Sequence, residues 1–335
     1  MINCAVIGAS GYVGMELTAL LSKHPKFNLN SLWVSEKSAD ANKPICSLYP
    51  GLLGLCELNL QGLVLNEVTL AHLANNNDVL FLCTEHEVAH DIVKQIFPLL
   101  AKTGLKIFDL SGGHRLNQSD DYAEVYGFAH QHQAALDQGV YGLPEWHQEA
   151  IAQSQLIAVP GCYPTASILA LKPLVIQGLL KAGHKPVINA VSGISGAGRK
   201  ATSVNSFCEL SLQAYKVFAH RHQPEIEQEL GCHVVFTPHI ANYDRGILAT
   251  IYCQLKDEVN EDCVQSAYQK AYASSDKVHC VDFQPAINHV KQRDHCLIHW
   301  EFNQKTREII ITSAIDNLLK GAASQALQCA ELGCL

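Results

Sequence analysis

Ile2-Asn-Cys-Ala-Val-Ile7-Gly8-Ala-Ser10-Gly11-Tyr12-Val13-Gly14 opens the 335-residue sequence. The run Asn3–Gly8 reads as a strand buried on both faces. Three glycines at G-x-x-G-x-x-G spacing follow it, and an amphipathic segment through about Ser22 reads as a helix. Glycines permit a tight turn and close backbone approach, while free N–H groups at the helix start face outward. That combination suits the pyrophosphate of a dinucleotide, with Gly8, Ser10, Gly11, Tyr12 and Val13 as candidate contacts. The spacing departs from G-x-G-x-x-G, so a glycine-rich turn without a ligand stays open as an alternative.

Outward from this turn, strands and helices alternate. Leu29–Val34, Asp78–Cys83, Lys106–Leu110 and a last strand, Leu156–Val159, are short apolar runs, separated by helical segments such as His86–Leu100. This is the rhythm of an α/β, Rossmann-type doubly wound parallel sheet. At the end of the second strand stand Ser35, Glu36, Lys37 and Ser38. Small hydroxyls and a lysine there suit the extra phosphate of NADP, against which Glu36 argues. Cys83 and Ser111 fall at the ends of two other strands, where a nucleotide lies on this fold, and join the candidate cofactor contacts. Beyond about residue 184 the texture changes. Val187–Val191, Val234–Phe236, Leu248–Leu255, Val278–Phe283, Leu297–Phe302 and Glu308–Thr312 read as strands with few helices between them, hence a second, α+β domain with a mixed or antiparallel sheet. Asp316–Leu332 reads as a helix with Asp316 as its N-cap.

Hydrophobic residues make up 48% and charged residues 17%, which excludes a disordered chain. The length suffices for two ordinary domains. No apolar run approaches the ~20 residues of a membrane span, and the start lacks a basic leader, so a cytoplasmic enzyme is expected. A net charge of -8 with only six arginines makes nucleic acid and anionic membranes poor partners. Thirteen cysteines without a C-x-x-C pair argue for a reducing compartment and against a thiolate zinc site.

Val159-Pro-Gly161-Cys162-Tyr-Pro164-Thr165 places one cysteine at a strand-to-helix turn, the helix running to about Leu180. A thiol there feels the positive end of the helix dipole and unpaired N–H groups, which favour thiolate and suit a developing oxyanion. The other cysteines read as small apolar residues. A nucleophile needs a proton partner, and His220-Arg221-His222 offers two histidines, which alternation places on one side of an extended segment. Ser195-Gly196-Ala-Gly198-Arg199-Lys200 follows an apolar strand and combines backbone donors with two cations, a cradle for phosphate or carboxylate. Asp109-Leu-Ser111-Gly-Gly-His114-Arg115 is a weaker anion loop with one arginine. His86-Glu-Val-Ala-His90 matches H-E-x-x-H, but no third ligand has recognisable spacing, so it reads as a helix start and no metal is expected.

Taken together, these segments resemble the N-acetyl-γ-glutamyl-phosphate reductase family, in the group that includes aspartate-semialdehyde dehydrogenase and glyceraldehyde-3-phosphate dehydrogenase. The resemblance covers essentially the whole chain, including Tyr141-Gly-Leu-Pro-Glu145, the cysteine segment with Ala170-Leu-Lys-Pro173, His220-Arg-His-Gln-Pro-Glu225 and Asp316-Asn-Leu-Leu-Lys-Gly-Ala-Ala323. It implies Cys162 as nucleophile and His220 as acid/base. It puts Ser195, Gly196, Arg199, Lys200, His222 and Arg115 around the substrate's anionic groups, and Asn317 at the nicotinamide end of NADP. It also implies residues 1–160 as the nucleotide domain completed by helix 316–335, residues 161–315 as the catalytic and dimerisation domain, and a homodimer or homotetramer. His114 stands where the family usually shows an aromatic residue, which puts the packing of Arg115 in question. The rivals are sibling reductases of aspartyl or aminoadipyl phosphate, a cofactor-independent Cys/His hydrolase, a non-catalytic NADP sensor and a zinc hydrolase at His86/His90.

Overall fold

The computed structural model describes residues 1–206 and 208–335. The chain forms two compact units, residues 1–160 with 322–335, and residues 161–321.

The first unit is built on a seven-stranded sheet of β1 (Ile2–Ile7), β2 (Phe27–Ser35), β3 (Leu60–Leu63), β4 (Val79–Leu82), β5 (Lys106–Asp109), β6 (Val140–Tyr141) and β7 (Leu156–Ala158). Its order is β3-β2-β1-β4-β5-β7-β6, and every pair is parallel. Strand β1 explains the layering. Cys4 and Val6 face Leu17 and Leu21 of helix Tyr12–Lys23 and Ala326 and Cys329 of the terminal helix. Ala5 and Ile7 face Leu70, Ile92 and Ile96 on the other side. A strand covered on both faces must be apolar throughout, which is why β1 lacks polar alternation. The terminal helix is fixed to this unit by Gln325 and Cys329, which both donate to the Gly142 carbonyl.

The second unit carries β8 (Val187–Gly193), β9 (Gln213–Ala214), β10 (Val235–Ala241), β11 (Ile247–Gln254), β12 (Val278–Cys280), β13 (Cys296–Asn303) and β14 (Glu308–Ile315), ordered β12-β13-β14-β11-β8-β10-β9. The sheet is mixed: β8–β10 and β12–β13 pair parallel, the rest antiparallel. One face is covered by helix Cys162–Ile176, which is buried from Tyr163 to Leu174. Pro173 has no N–H to give the Leu169 carbonyl. Tyr272 of helix Glu261–Tyr272 supplies the missing donor, its hydroxyl 2.5 Å from Leu169 O. Tyr272→Phe is therefore expected to cost about 1–2 kcal/mol in urea unfolding, and an unchanged midpoint would show that carbonyl content without a donor.

Several sequence expectations need correction. Strands β3, β6 and β9 and helix Glu261–Tyr272 were not predicted, so the second half is richer in helix than expected. The helix after Cys162 stops at Ile176, and β12 stops at Cys280. Asp316 caps the C-terminal helical run, its Oδ1 accepting from Leu318 N and Leu319 N, but the run opens with a π-helical turn, Leu319–Ala323, before the α-helix Ser324–Cys334. Residues 316–321 belong with the second unit rather than with the returning helix, because Asp316 and Asn317 are tied to Arg245 and Gly246.

Candidate functional site

In the first unit the glycine turn is shaped by its neighbours. Gly8 has φ +88°, and a Cβ there would overlap the Cys83 carbonyl. A Cβ on Gly14 would lie 2.5 Å from Gly8 O, so the third glycine lets the helix pack onto the turn. Gly8 N and Ala9 N donate to Trp33 O, and the Tyr49 hydroxyl donates to Ser10 O at 2.7 Å. The helix starting at Tyr12 has no side-chain cap and no acidic residue in its first turn. Its first N–H groups and positive dipole end therefore suit a pyrophosphate. Ser35 ends β2 and Lys37 follows it, both exposed, in a turn closed by Ser38 N on Ser35 O. These residues fit an NADP dinucleotide. Cys83 contributes its backbone, through the carbonyl that confronts Gly8, and burial pushes its thiol pKa well up.

The loop after β5 is a closed network. Asp109, fully buried, accepts from Ser111 N at 2.8 Å and pairs with His114 Nδ1 at 2.7 Å. Burial alone would raise Asp109, but the bonds from His114 and Ser111 outweigh it and hold this carboxyl below its ordinary value. Ser111 is itself buried, its hydroxyl accepting from Gly113 N. His114 is thus a buried anchor of this loop. Arg115 donates to Val159 O and Leu110 O at 2.8 and 2.9 Å, a brace between the ends of β5 and β7 as well as a candidate anion ligand. The H-E-x-x-H histidines are engaged locally: His86 Nδ1 accepts from Gly112 N and His90 Nε2 from Gln131 N. Among the described residues no group of three or more ligands is arranged to hold a metal ion.

In the second unit Cys162 is the first residue of its helix, with Gly161 as N-cap and no side-chain cap. Pro164 removes one N–H from the first turn, which leaves those of Cys162 and Tyr163 at the thiol's end. Glu225, fully buried, accepts from Gly161 N at 2.8 Å and ties this turn to helix His222–Leu230. His220 lies just before that helix. Its Nδ1 accepts from His222 N at 3.1 Å, and its Nε2 lies 3.2 Å from the Tyr215 hydroxyl. The His-Arg-His segment therefore turns into a helix instead of running extended, because Pro224 and the backbone bond onto His220 close the first turn. The rings of His220 and His222 lie 5.6 and 5.9 Å from that of Tyr163. Burial, with Cys162 close enough to add, raises the Tyr215 hydroxyl. Burial first, then Arg221 and Lys216, pushes His220 down to about 3, so its imidazole is neutral near pH 7. Gly321 faces Cys162 so closely that a Cβ on it would lie 2.9 Å from Cys162 Cβ.

The anion loop follows β8. Gly196, Arg199 and Lys200 are exposed, and Asn317 Nδ2 donates to Ser195 Oγ at 3.0 Å. Asn317 is buried and its Oδ1 accepts from Gly246 N, so its amide holds two loops together. Tyr215, Glu225, Gly321 and Arg245 went unread in the sequence. Glu225 and Gly321 had a local signal, as members of the His220–Glu225 and Asp316–Ala323 segments.

Burial also pushes His130, in the first unit, down to about 3, with His114, His90 and His132 adding. For both His220 and His130 the folded pKa lies below the unfolded one, so the unfolded state binds more protons between about pH 6.5 and 3. Stability is lost as pH falls through that window. His130→Phe is expected to flatten the fall of the urea midpoint between about pH 7 and 4; a parallel curve would remove His130 from the acid response.

A nucleotide-type helix start and a cysteine at the head of a buried helix define a dehydrogenase-like pair of units. The family model for the semialdehyde dehydrogenase NAD binding domain matches residues 3–154, and that for the semialdehyde dehydrogenase dimerisation domain matches 162–317. The chain is 49% identical over 332 residues to the N-acetyl-γ-glutamyl-phosphate reductase of Pseudoalteromonas atlantica (99% of this chain, 95% of that one). It is 51% identical over 333 residues to that of Pasteurella multocida (99% and 97%). The chain belongs to the N-acetyl-γ-glutamyl-phosphate reductase family. Solved structures share the fold: aspartate semialdehyde dehydrogenase II of Vibrio cholerae (TM-score 0.72, 16% identity, 99% and 98% covered) and the Candida albicans enzyme with NADP (0.70, 17%, 99% and 98%).

Proposed function

We propose that this chain reduces N-acetyl-γ-glutamyl phosphate to N-acetylglutamate 5-semialdehyde with NADPH, in L-arginine biosynthesis, through a thioester on Cys162. The observation that carries this reading is Cys162 at the uncapped start of a buried helix, whose next residue, Tyr163, has its ring 5.6 Å from that of a neutral histidine, His220. The substrate follows from the name borne by the relatives at 49 and 51% identity.

For His220 to take the thiol proton, Nδ1 must release His222 N and carry the ring's own proton, which leaves Nε2 as the base; the Cys162 thiolate then attacks the acyl phosphate carbon. The carbon–oxygen bond to phosphate breaks, phosphate leaves toward Arg199 and Lys200, and a thioester remains. NADPH, when bound, supplies the hydride that a thioester accepts and a carboxylate does not. The N–H groups of Cys162 and Tyr163 stabilise the developing oxyanion. Protonated His220 is a strong acid in this setting; it gives its proton to the adduct oxygen and recovers it as aldehyde and thiolate separate. Gly8 to Val13 hold the pyrophosphate, with Ser35, Lys37 and Ser38 at the 2′-phosphate. Cys83, Ser111 and Asn317 complete the cofactor contacts, and Ser195, Gly196, His222 and Arg115 the substrate's.

The assembly is a homodimer or homotetramer in the cytoplasm. Support comes from the open face of the second sheet, where Thr250 and Ile310 are exposed while Ala249 and Ile311 are fully buried. Among the described residues no helix is long and apolar enough to cross a membrane.

The test is the reverse reaction. Protein, NADP and N-acetylglutamate semialdehyde should yield NADPH absorbance that depends on added phosphate. Signal with aspartate semialdehyde alone would transfer the assignment to a sibling reductase.

A further inference from the structure

Three loops of the second unit close into a ring beside Cys162. Gly193, Ile194 and Ser195 donate their N–H groups to the carbonyls of Gly246, Tyr243 and Asp244 at 2.8 to 3.0 Å. This seam is possible because position 193 is glycine, where a Cβ would lie 2.7 Å from Arg245 N. The turn 243–246 then grips the segment after β14 twice. Gly246 N donates to Asn317 Oδ1 at 2.6 Å, and Arg245 pairs with Asp316, its Nη2 donating to Oδ1 at 2.9 Å while its Nε lies 2.7 Å from Oδ2 as an ion pair without hydrogen-bond alignment. Asn317 Nδ2 on Ser195 Oγ closes the ring.

Asp316 does more than pair. It is fully buried and also accepts from Leu318 N, Leu319 N and Gln292 N. Its carbonyl takes Gly321 N at 2.9 Å, an i to i+5 bond that shapes the π-helical turn and sets Gly321 against Cys162. A buried ion pair of this kind is costly to break, since loss of one partner strands the other charge.

We propose that Arg245 and Asp316 are positioning residues for the chemistry at Cys162. Through Gly321 they fix the wall against the thiol's Cβ, and through Asn317 they fix Ser195 at the anion loop. Neither touches the reacting atoms. The proposal rests on the thioester reading above.

The test compares Arg245→Ala and Arg245→Lys with the wild type by kcat, KM for phosphate, NADP Kd and the rate of Cys162 alkylation by iodoacetamide, read by peptide mass spectrometry. A displacement of about 1 Å is worth on the order of 100-fold in kcat, so Arg245→Ala is expected to lose about that while NADP Kd stays within about twofold. Guanidinium ion at low millimolar should restore kcat at least about 10-fold, because it refills the cationic place beside Asp316. Arg245→Lys keeps the charge and the fold but not the planar guanidinium whose Nη2 reaches Asp316 Oδ1, and should lose about 10-fold in kcat. A kcat within about threefold of wild type in either variant overturns the proposal. So does a loss that guanidinium leaves unrelieved and that extends equally to NADP binding. Wild-type protein without phosphate-dependent turnover would overturn the reaction instead, while an altered Cys162 alkylation rate in the variants would still uphold the positioning.

Discussion

Cys162→Ser is expected to lower phosphate-dependent NADPH formation by at least about 1000-fold while NADP binding stays within about twofold. The hydroxyl keeps the size and the place at the helix start but not the acidity. At a site whose proton acceptor is a histidine held down to about 3, an alcohol gives up its proton far less readily than a thiol does. The substitution leaves the scaffold alone: Glu225 still holds Gly161 N, and the Gly321 clearance is set by Cβ rather than by sulfur. Activity and cofactor affinity therefore separate. Turnover within about 10-fold of wild type would remove the covalent step. His220→Asn, which retains shape and loses the proton shuttle, should fall between these limits at about 100-fold or more.

The two features that were legible in the sequence share one property: each is written in consecutive residues. The first strand, its glycines and its helix lie in a single stretch, and so does the strand, turn and cysteine of Val159 to Thr165. Local periodicity and turn chemistry suffice for such signals. Short strands gave no such pattern. Leu60–Leu63 and Val140–Tyr141 join the sheet because parallel neighbours leave a place for them, which is a tertiary effect. Helix Glu261–Tyr272 is different, because its signals were present: Asn260 as N-cap, two acidic residues in the first turn, and Val264, Ala267, Tyr268 and Tyr272 on one face. The strand-rich context around it masked them.

At the site the same division holds. Cys162, His220 and the glycine-rich anion loop were readable as residue types in a setting. The ring that joins Ser195, Gly246, Asn317 and Asp316 spans more than a hundred residues of sequence, and no spacing rule connects its parts. An arginine after a Tyr-Asp pair gives no sign in one sequence that its partner stands just beyond a strand 71 residues later. Nor does a glycine near the C-terminus announce that it stands against the nucleophile.

The three glycines of the first turn, equivalent as a motif, should separate into two kinds of defect. Gly8 has φ +88° and Gly14 would press a Cβ to 2.5 Å from Gly8 O, so alanine at either position must displace backbone. Each is expected to lose at least about 3 kcal/mol in unfolding free energy. Gly11 differs: its φ is -78°, and a Cβ there would meet only Gly8 O at 3.6 Å, an ordinary contact. Gly11→Ala should leave the urea midpoint unchanged, yet it places a methyl at the mouth of the helix N-terminus, where the pyrophosphate needs close backbone approach. Its expected signature is about 10-fold weaker NADPH binding with stability intact. Cys162 alkylation, a property of the other unit, should not change. Normal NADPH affinity in Gly11→Ala would mean that the pyrophosphate does not rest on this turn, whereas a stable Gly8→Ala would mean that the turn and the Cys83 carbonyl have room to part.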